Sequence, residues 1–131
     1  MAEKQELLTK LAEISLKGER EIKSIDQFFK TYPDLDTHDG YVGQKIRMGM
    51  MEKEGYRLVG FKLGGTSLAK LTQIKDSLTA GTFAPRKDPK CGMLMDYMQL
   101  PEWEPLRISE LIHPKIESEL AFVLNKELYG P

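Results

Sequence analysis

At 131 residues, with nineteen Lys plus Arg against twenty Asp plus Glu and a formal charge of -1, the chain has room for one ordinary domain and carries no basic block to track a phosphate backbone. Its longest apolar runs, such as Leu120 to Leu124, fall far short of the roughly 20 residues a membrane helix needs, and the N-terminus has no signal-type apolar region. A soluble, cytoplasmic protein without a nucleic-acid partner is expected, and the single Cys91 fits a reducing compartment.

Leu7, Leu8, Leu11 and Ile14 recur at helical spacing and predict an amphipathic first helix ending around Gly18. Ser24 and Gln27 stand at capping-box spacing ahead of Phe28 and Phe29, predicting a short helix that stops before Pro33. Thr37 is the expected cap of a third helix, which turns Tyr41, Val42, Ile46, Met50 and Met51 to the core and ends with Gly55 in the left-handed position. Residues 1 to 55 thus read as a helical N-terminal region, and 56 to 131 as a partial β-rich catalytic region of one incomplete domain.

Tyr56 to Leu63 is short, apolar and bounded by glycines, as a strand is. Ser67 is placed to cap a helix carrying Leu68, Leu71 and Ile74, and Thr79 to Pro89 has the composition of a surface loop. Met93 to Leu100 and Ile116 to Leu124 read as two further strands. Helices first and strands second predict an α+β fold with part of a mixed sheet. So small a chain, 40% apolar, leaves apolar surface for association, and a homo-oligomer is expected.

Two constellations bear on chemistry. Glu117 and Glu119 lie two residues apart in Ile116 to Leu124; on a strand their side chains share a face, about 7 Å apart, and if that face is buried their charges need a cation, for which a hard divalent ion is the natural candidate. Spacing alone favours two glutamates facing water, and only context promotes the pattern to a cation site. Lys62 stands between Gly60 and Gly64 on its side of a strand, with Val59, Phe61 and Leu63 on the other. An ammonium in such a gap can bind a carboxylate or move a proton; it can also simply reach to solvent. Gly64 to Ser67 lacks the spacing of a phosphate loop and is explained by a helix cap. Cys91 reads as an incidental thiol, His113 as a structural or exposed histidine in a turn, and Asp96 and Tyr97 as possible pocket-lining groups.

Several segments together resemble the hydratase and decarboxylase branch of the fumarylacetoacetate hydrolase superfamily. Gly40-Tyr41-Val42-Gly43-Gln44 is similar to its A-Y-x-x-Q helix, Val59 to Ser67 to its V-G-x-K-x-G-x-T-S strand and turn, and Leu111 to Leu120 to its P-x-[IV]-E-x-E motif, with Leu111-Ile112-His113-Pro114-Lys115-Ile116-Glu117 closest to the decarboxylases. The resemblance implies that Glu117 and Glu119 bind Mg2+ or Mn2+, that Lys62 is catalytic, and that a third carboxylate ligand comes from a segment later than Pro131, in proteins roughly twice this length. It implies a lyase that decarboxylates 4-oxalocrotonate, a 2-oxo acid of aromatic catabolism, to 2-hydroxypenta-2,4-dienoate, in partnership with vinylpyruvate hydratase. Hydration of 2-keto-4-pentenoate is the alternative within the branch, and a non-catalytic fragment or association subunit the alternative outside it. Hydratases of the branch place an acidic residue where Lys90 stands here, which favours decarboxylation.

Overall fold

A computed structural model describes residues 2–67, 89–127 and 129. Three helices come first, α1 (Ala2–Arg20), α2 (Phe28–Thr31) and α3 (Thr37–Lys53), followed by strands β1 (Leu58–Gly64) and β2 (Lys90–Met95) and by single 3-10 turns at Asp96–Met98 and Ile108–Glu110. The fold is α+β. The helix predicted after Ser67 and the loop predicted from Thr79 lie, up to residue 88, outside the described residues. Among the described residues no helix is long and apolar enough to cross a membrane.

Leu8, Leu11, Ala12 and Leu16 form the buried stripe of α1, whereas Ile14, expected on that stripe, is exposed. The helix runs two residues past Gly18 and closes with Ile22 at φ 54. There the Ile22 N–H donates to the Glu19 carbonyl and the Lys23 N–H to that of Gly18, at 3.1 and 2.8 Å. This is a Schellman closure with isoleucine in the left-handed place usually held by glycine. α3 ends the same way with the expected residue: Gly55 has φ 98, and the N–H groups of Gly55 and Tyr56 donate to the carbonyls of Glu52 and Met51.

The cap of α3 is Asp36, not Thr37. Its carboxylate accepts the Asp39 N–H at 2.9 Å while Asp39 accepts the Asp36 N–H at 3.0 Å, so two donors at the helix start are satisfied reciprocally. Lys4 pairs with the nearly buried Asp39 at 2.8 Å, and Arg20 pairs with Glu54 at the far ends. α1 and α3 therefore lie side by side in the same direction. Leu16, Met51 and Met95 form the central cluster, with Met48, Met50 and Leu58 packed against it. Each such side chain stabilises by about 1.5–3 kcal/mol, and methionine's unbranched stem fills the irregular gap between two helices and a two-stranded ladder. Tyr41, expected in the core, is exposed on one side, and Val42 and Ile46 are half-buried.

β1 and β2 pair antiparallel from Leu58↔Met95 to Gly64↔Lys90, with an irregularity at Val59. The strand expected from Met93 to Leu100 instead begins at Lys90 and stops at Met95, because the Asp96 carboxylate takes the N–H groups of Arg57 and Tyr97 and turns the chain. The strand expected from Ile116 to Leu124 is a second correction. This segment has no ladder partner among the described residues, and Ile116, Leu120, Phe122 and Val123 are all more than 80% exposed. Alternation alone does not make a strand; its backbone groups need a neighbouring edge.

Candidate active site

Lys62 sits in the middle of β1, opposite Gly92 of β2. Gly60 and Gly64 flank it on its own face, so no other side chain of β1 confines its four-carbon stem, while Leu94 and Lys90, paired with those glycines, are the side chains of β2 on that face. A Cβ added at Gly64 would meet nothing within 4 Å, and one at Gly92 only the Lys62 carbonyl at 3.9 Å. One at Gly60 would meet Leu94 Cδ1 at 3.9 Å.

The ammonium donates to Glu119 Oε1 at 2.6 Å and lies 3.3 Å from Glu117 Oε2. The three residues that sequence reading singled out are thus brought to one point, although the two glutamates ride on a segment with no ladder partner among the described residues. The face they share is not buried as the sequence reading considered, since the three side chains are 44 to 55% exposed. Among the described residues, Lys62 is a cation that answers both glutamates. Glu119, then Glu117, hold the Lys62 ammonium in its charged form and raise its pKa above the usual lysine range, against a smaller opposing effect of desolvation. Among the described residues no group of three or more His, Cys, Asp and Glu could hold a metal ion.

What fixes β2, and through it β1, is a clamp from α3. Tyr41 and Gln44 lie one turn apart on the same helix face; the Cys91 N–H donates to the Tyr41 hydroxyl at 3.1 Å, and the Gln44 amide donates to the Cys91 carbonyl at 3.4 Å. Both backbone polar groups of Cys91 in β2 are so engaged. This explains a tyrosine and a glutamine three positions apart in a helix expected to be apolar there. The Cys91 thiol is free and half-buried.

The other candidates serve the framework. His113, at φ 48, bonds the Ser24 hydroxyl through Nε2 at 2.9 Å and ties the C-terminal segment to the link after α1. Asp96 holds Arg57 through both backbone and guanidinium, and its carboxyl lies below the usual range because of the Arg57 N–H first. Tyr97 donates to Glu19, whose second oxygen takes Arg47. No sequence signal marked that triad, which joins α1, α3 and the end of β2. A cavity of about 480 Å³ between the helices is lined by Leu8, Leu11, Phe28, Leu35, Tyr41 and Cys91 among others, but not by Lys62, Glu117 or Glu119.

No protein-family model matches the sequence. Curated proteins do: 4-oxalocrotonate decarboxylase of Pseudomonas sp. strain CF600 is 36% identical over 92% of this chain, and that of Pseudomonas putida 34% identical over 97%. 2-Keto-4-pentenoate hydratase of Paraburkholderia xenovorans is 32% identical over 81%. Among solved structures, 4-oxalocrotonate decarboxylase from Pseudomonas putida G7, complexed with calcium and acetate, superposes with a TM-score of 0.71 at 28% identity over 82% of this chain. Its curated relatives thus include 4-oxalocrotonate decarboxylases and 2-keto-4-pentenoate hydratases, and its structural neighbour is a decarboxylase of the fumarylacetoacetate hydrolase superfamily. The chain spans 42 to 44% of the length of the two curated decarboxylases and 38% of the solved one.

Proposed function

We propose that this chain carries part of the active site of a soluble, cytoplasmic lyase that decarboxylates 4-oxalocrotonate, with Glu117 and Glu119 as ligands of Mg2+ or Mn2+ and Lys62 as the catalytic lysine. The observation that carries this reading is the convergence of both carboxylates on one cationic group. An ammonium is a stand-in for the ion. Two hard carboxylate oxygens, half-exposed and open on the remaining sides, are the donor chemistry magnesium takes when water and substrate complete its shell. The related decarboxylase is complexed with calcium and acetate, and the calcium supports a divalent cation.

Bound there, the ion would supply Lewis acidity toward the 2-oxo acid end of the substrate. The work of the chain's own groups follows from their placement. Loss of carbon dioxide sends the electron pair of the breaking carbon-carbon bond through the conjugated double bond to the 2-oxo oxygen, which then takes a proton to give the dienol 2-hydroxypenta-2,4-dienoate. Lys62 is the cationic group at hand to orient a substrate carboxylate or to deliver that proton. Tyr41 and Gln44 hold the strand edge that keeps Lys62 in place.

The test is carbon dioxide release from 4-oxalocrotonate with and without added magnesium. Magnesium-dependent release supports the reading; hydration of 2-hydroxypenta-2,4-dienoate without release moves the chain to the hydratases, which are also its relatives. A second reading, association as a homo-oligomer or with vinylpyruvate hydratase, is favoured by the uncovered row Val59, Phe61 and Leu63 on the far face of β1, each more than 40% exposed. Sedimentation decides it, a monomer counting against it.

A further inference from the structure

The Lys62 ammonium stands where both carboxylates point, 2.6 Å from Glu119 and 3.3 Å from Glu117. An ion bound by the same two oxygens at about 2.1 Å would lie in contact with that ammonium, and like charges at contact exclude one another. Lysine and metal cannot share the seat. The surroundings also allow the lysine to leave it: the residue opposite it and its two neighbours on the same face of β1 are glycines, Leu94 and Lys90 being the side chains of β2 on that face, and Lys62 is 44% exposed.

We propose that Lys62 is a resident counter-ion competing with the divalent cation for Glu117 and Glu119, and that cation binding displaces its ammonium toward an anionic group of the substrate. This rests on the reading of the two glutamates as metal donors and adds an order to it. A divalent ion on the carboxylates, with the lysine released beside them, makes the site more positive by two charges than it is with the lysine seated, and so favours a 2-oxo acid anion. Metal therefore binds before substrate, and one residue both guards the empty site and receives the substrate in the loaded one. The flexible stem and compact ammonium of lysine suit such an exchange; arginine's planar fork would hold both carboxylates more firmly.

The experiment is Mn2+ titration of the protein, with unbound ion read from the electron paramagnetic resonance signal of aqueous Mn2+ and folding checked by thermal melting without metal. Lys62→Met, which keeps the stem and removes the charge, is expected to bind Mn2+ about tenfold more tightly than wild type, equivalent to about 1.4 kcal/mol. Lys62→Arg is expected to bind no more tightly than wild type. Lys62→Gln serves in place of Lys62→Met if the latter melts early. Glu119→Gln added to Lys62→Met should cancel the gain. Binding by wild type that is unchanged or weaker in Lys62→Met and Lys62→Gln overturns the competition and leaves the metal assignment standing. Absence of Mn2+ binding in every variant overturns both.

Discussion

Tyr97 donates its hydroxyl to Glu19, joining the turn after β2 to the last turn of α1, and Arg47 of α3 holds the other oxygen of the same carboxylate. Burial first, and the glutamate second, push the Tyr97 phenol up to about 12. A raised tyrosine favours the protonated, folded form; its stabilisation is complete below the unfolded value near 10 and fades as pH rises toward 12. Spectrophotometric alkaline titration should show a late phenolate component near 12 that Tyr97→Phe removes. The same substitution should cost about 1 kcal/mol in urea unfolding, as expected for a lost hydrogen bond to a charged group at a partly exposed site.

Asp36 and Asp39 close the start of α3 reciprocally, and Lys4 completes the contact. Asp36→Ala should cost about 1 kcal/mol of unfolding free energy, the usual loss for an N-cap. The Asp39 carboxyl is held below its ordinary value by Lys4 first and by the Asp36 N–H second. Its stabilisation is present above the unfolded aspartate value, near 4, and disappears as pH falls through the lower folded value. Melting temperature followed from neutral pH into acid should therefore fall less in Asp39→Asn than in wild type.

Closures of α1 and α3 show how far sequence alone reaches. Gly55 was readable because a glycine beyond the last apolar position of a helix supplies the left-handed residue. Gly18 misled for the same reason. It lies inside α1, where a Cβ would stand 2.7 Å from Ile25 Cγ2 and 3.2 Å from the Lys23 carbonyl, so glycine answers crowding there, and the turn falls on Ile22. The candidate site divides in the same manner. Lys62 between glycines and Glu117 and Glu119 at a spacing of two were legible as local patterns. That Lys62 faces both glutamates depends on a segment more than 50 residues away, and no local period carries that. The Tyr41 and Gln44 clamp was legible only as a motif resemblance; its meaning, a hold on the Cys91 peptide, needed the strand beside it.

Ile22 follows as a site of stored strain. A β-branched residue with φ 54 costs roughly 1–2 kcal/mol, while glycine in its place costs about 0.5–1 kcal/mol in chain entropy. Ile22 is 42% exposed, so its removal also costs on the order of 1 kcal/mol of burial. Ile22→Gly should therefore leave stability within about 1 kcal/mol of wild type in urea unfolding, and a larger loss would mean that the isoleucine side chain contributes more than its exposure indicates.

Activity separates the roles of the three residues at the candidate site, because a structural ion pair and a catalytic group respond differently to removal. Exposed pairs contribute about 0–1 kcal/mol, so Lys62→Ala should leave the thermal midpoint within a few degrees of wild type. A lysine that orients substrate or moves a proton contributes on the order of 10²-fold or more to turnover. Carbon dioxide release by Lys62→Ala should therefore fall at least that far at saturating magnesium, and the opposite pattern, a large loss of stability with turnover kept, would make Lys62 a framework residue. Glu117→Gln preserves the shape of the side chain and removes the charge that a hard cation needs, so its magnesium-dependent turnover should vanish at concentrations that saturate wild type. Recovery at much higher magnesium is consistent with a weakened ligand. Full activity at ordinary magnesium would remove Glu117 from the ligand set, whatever the spacing of the two glutamates.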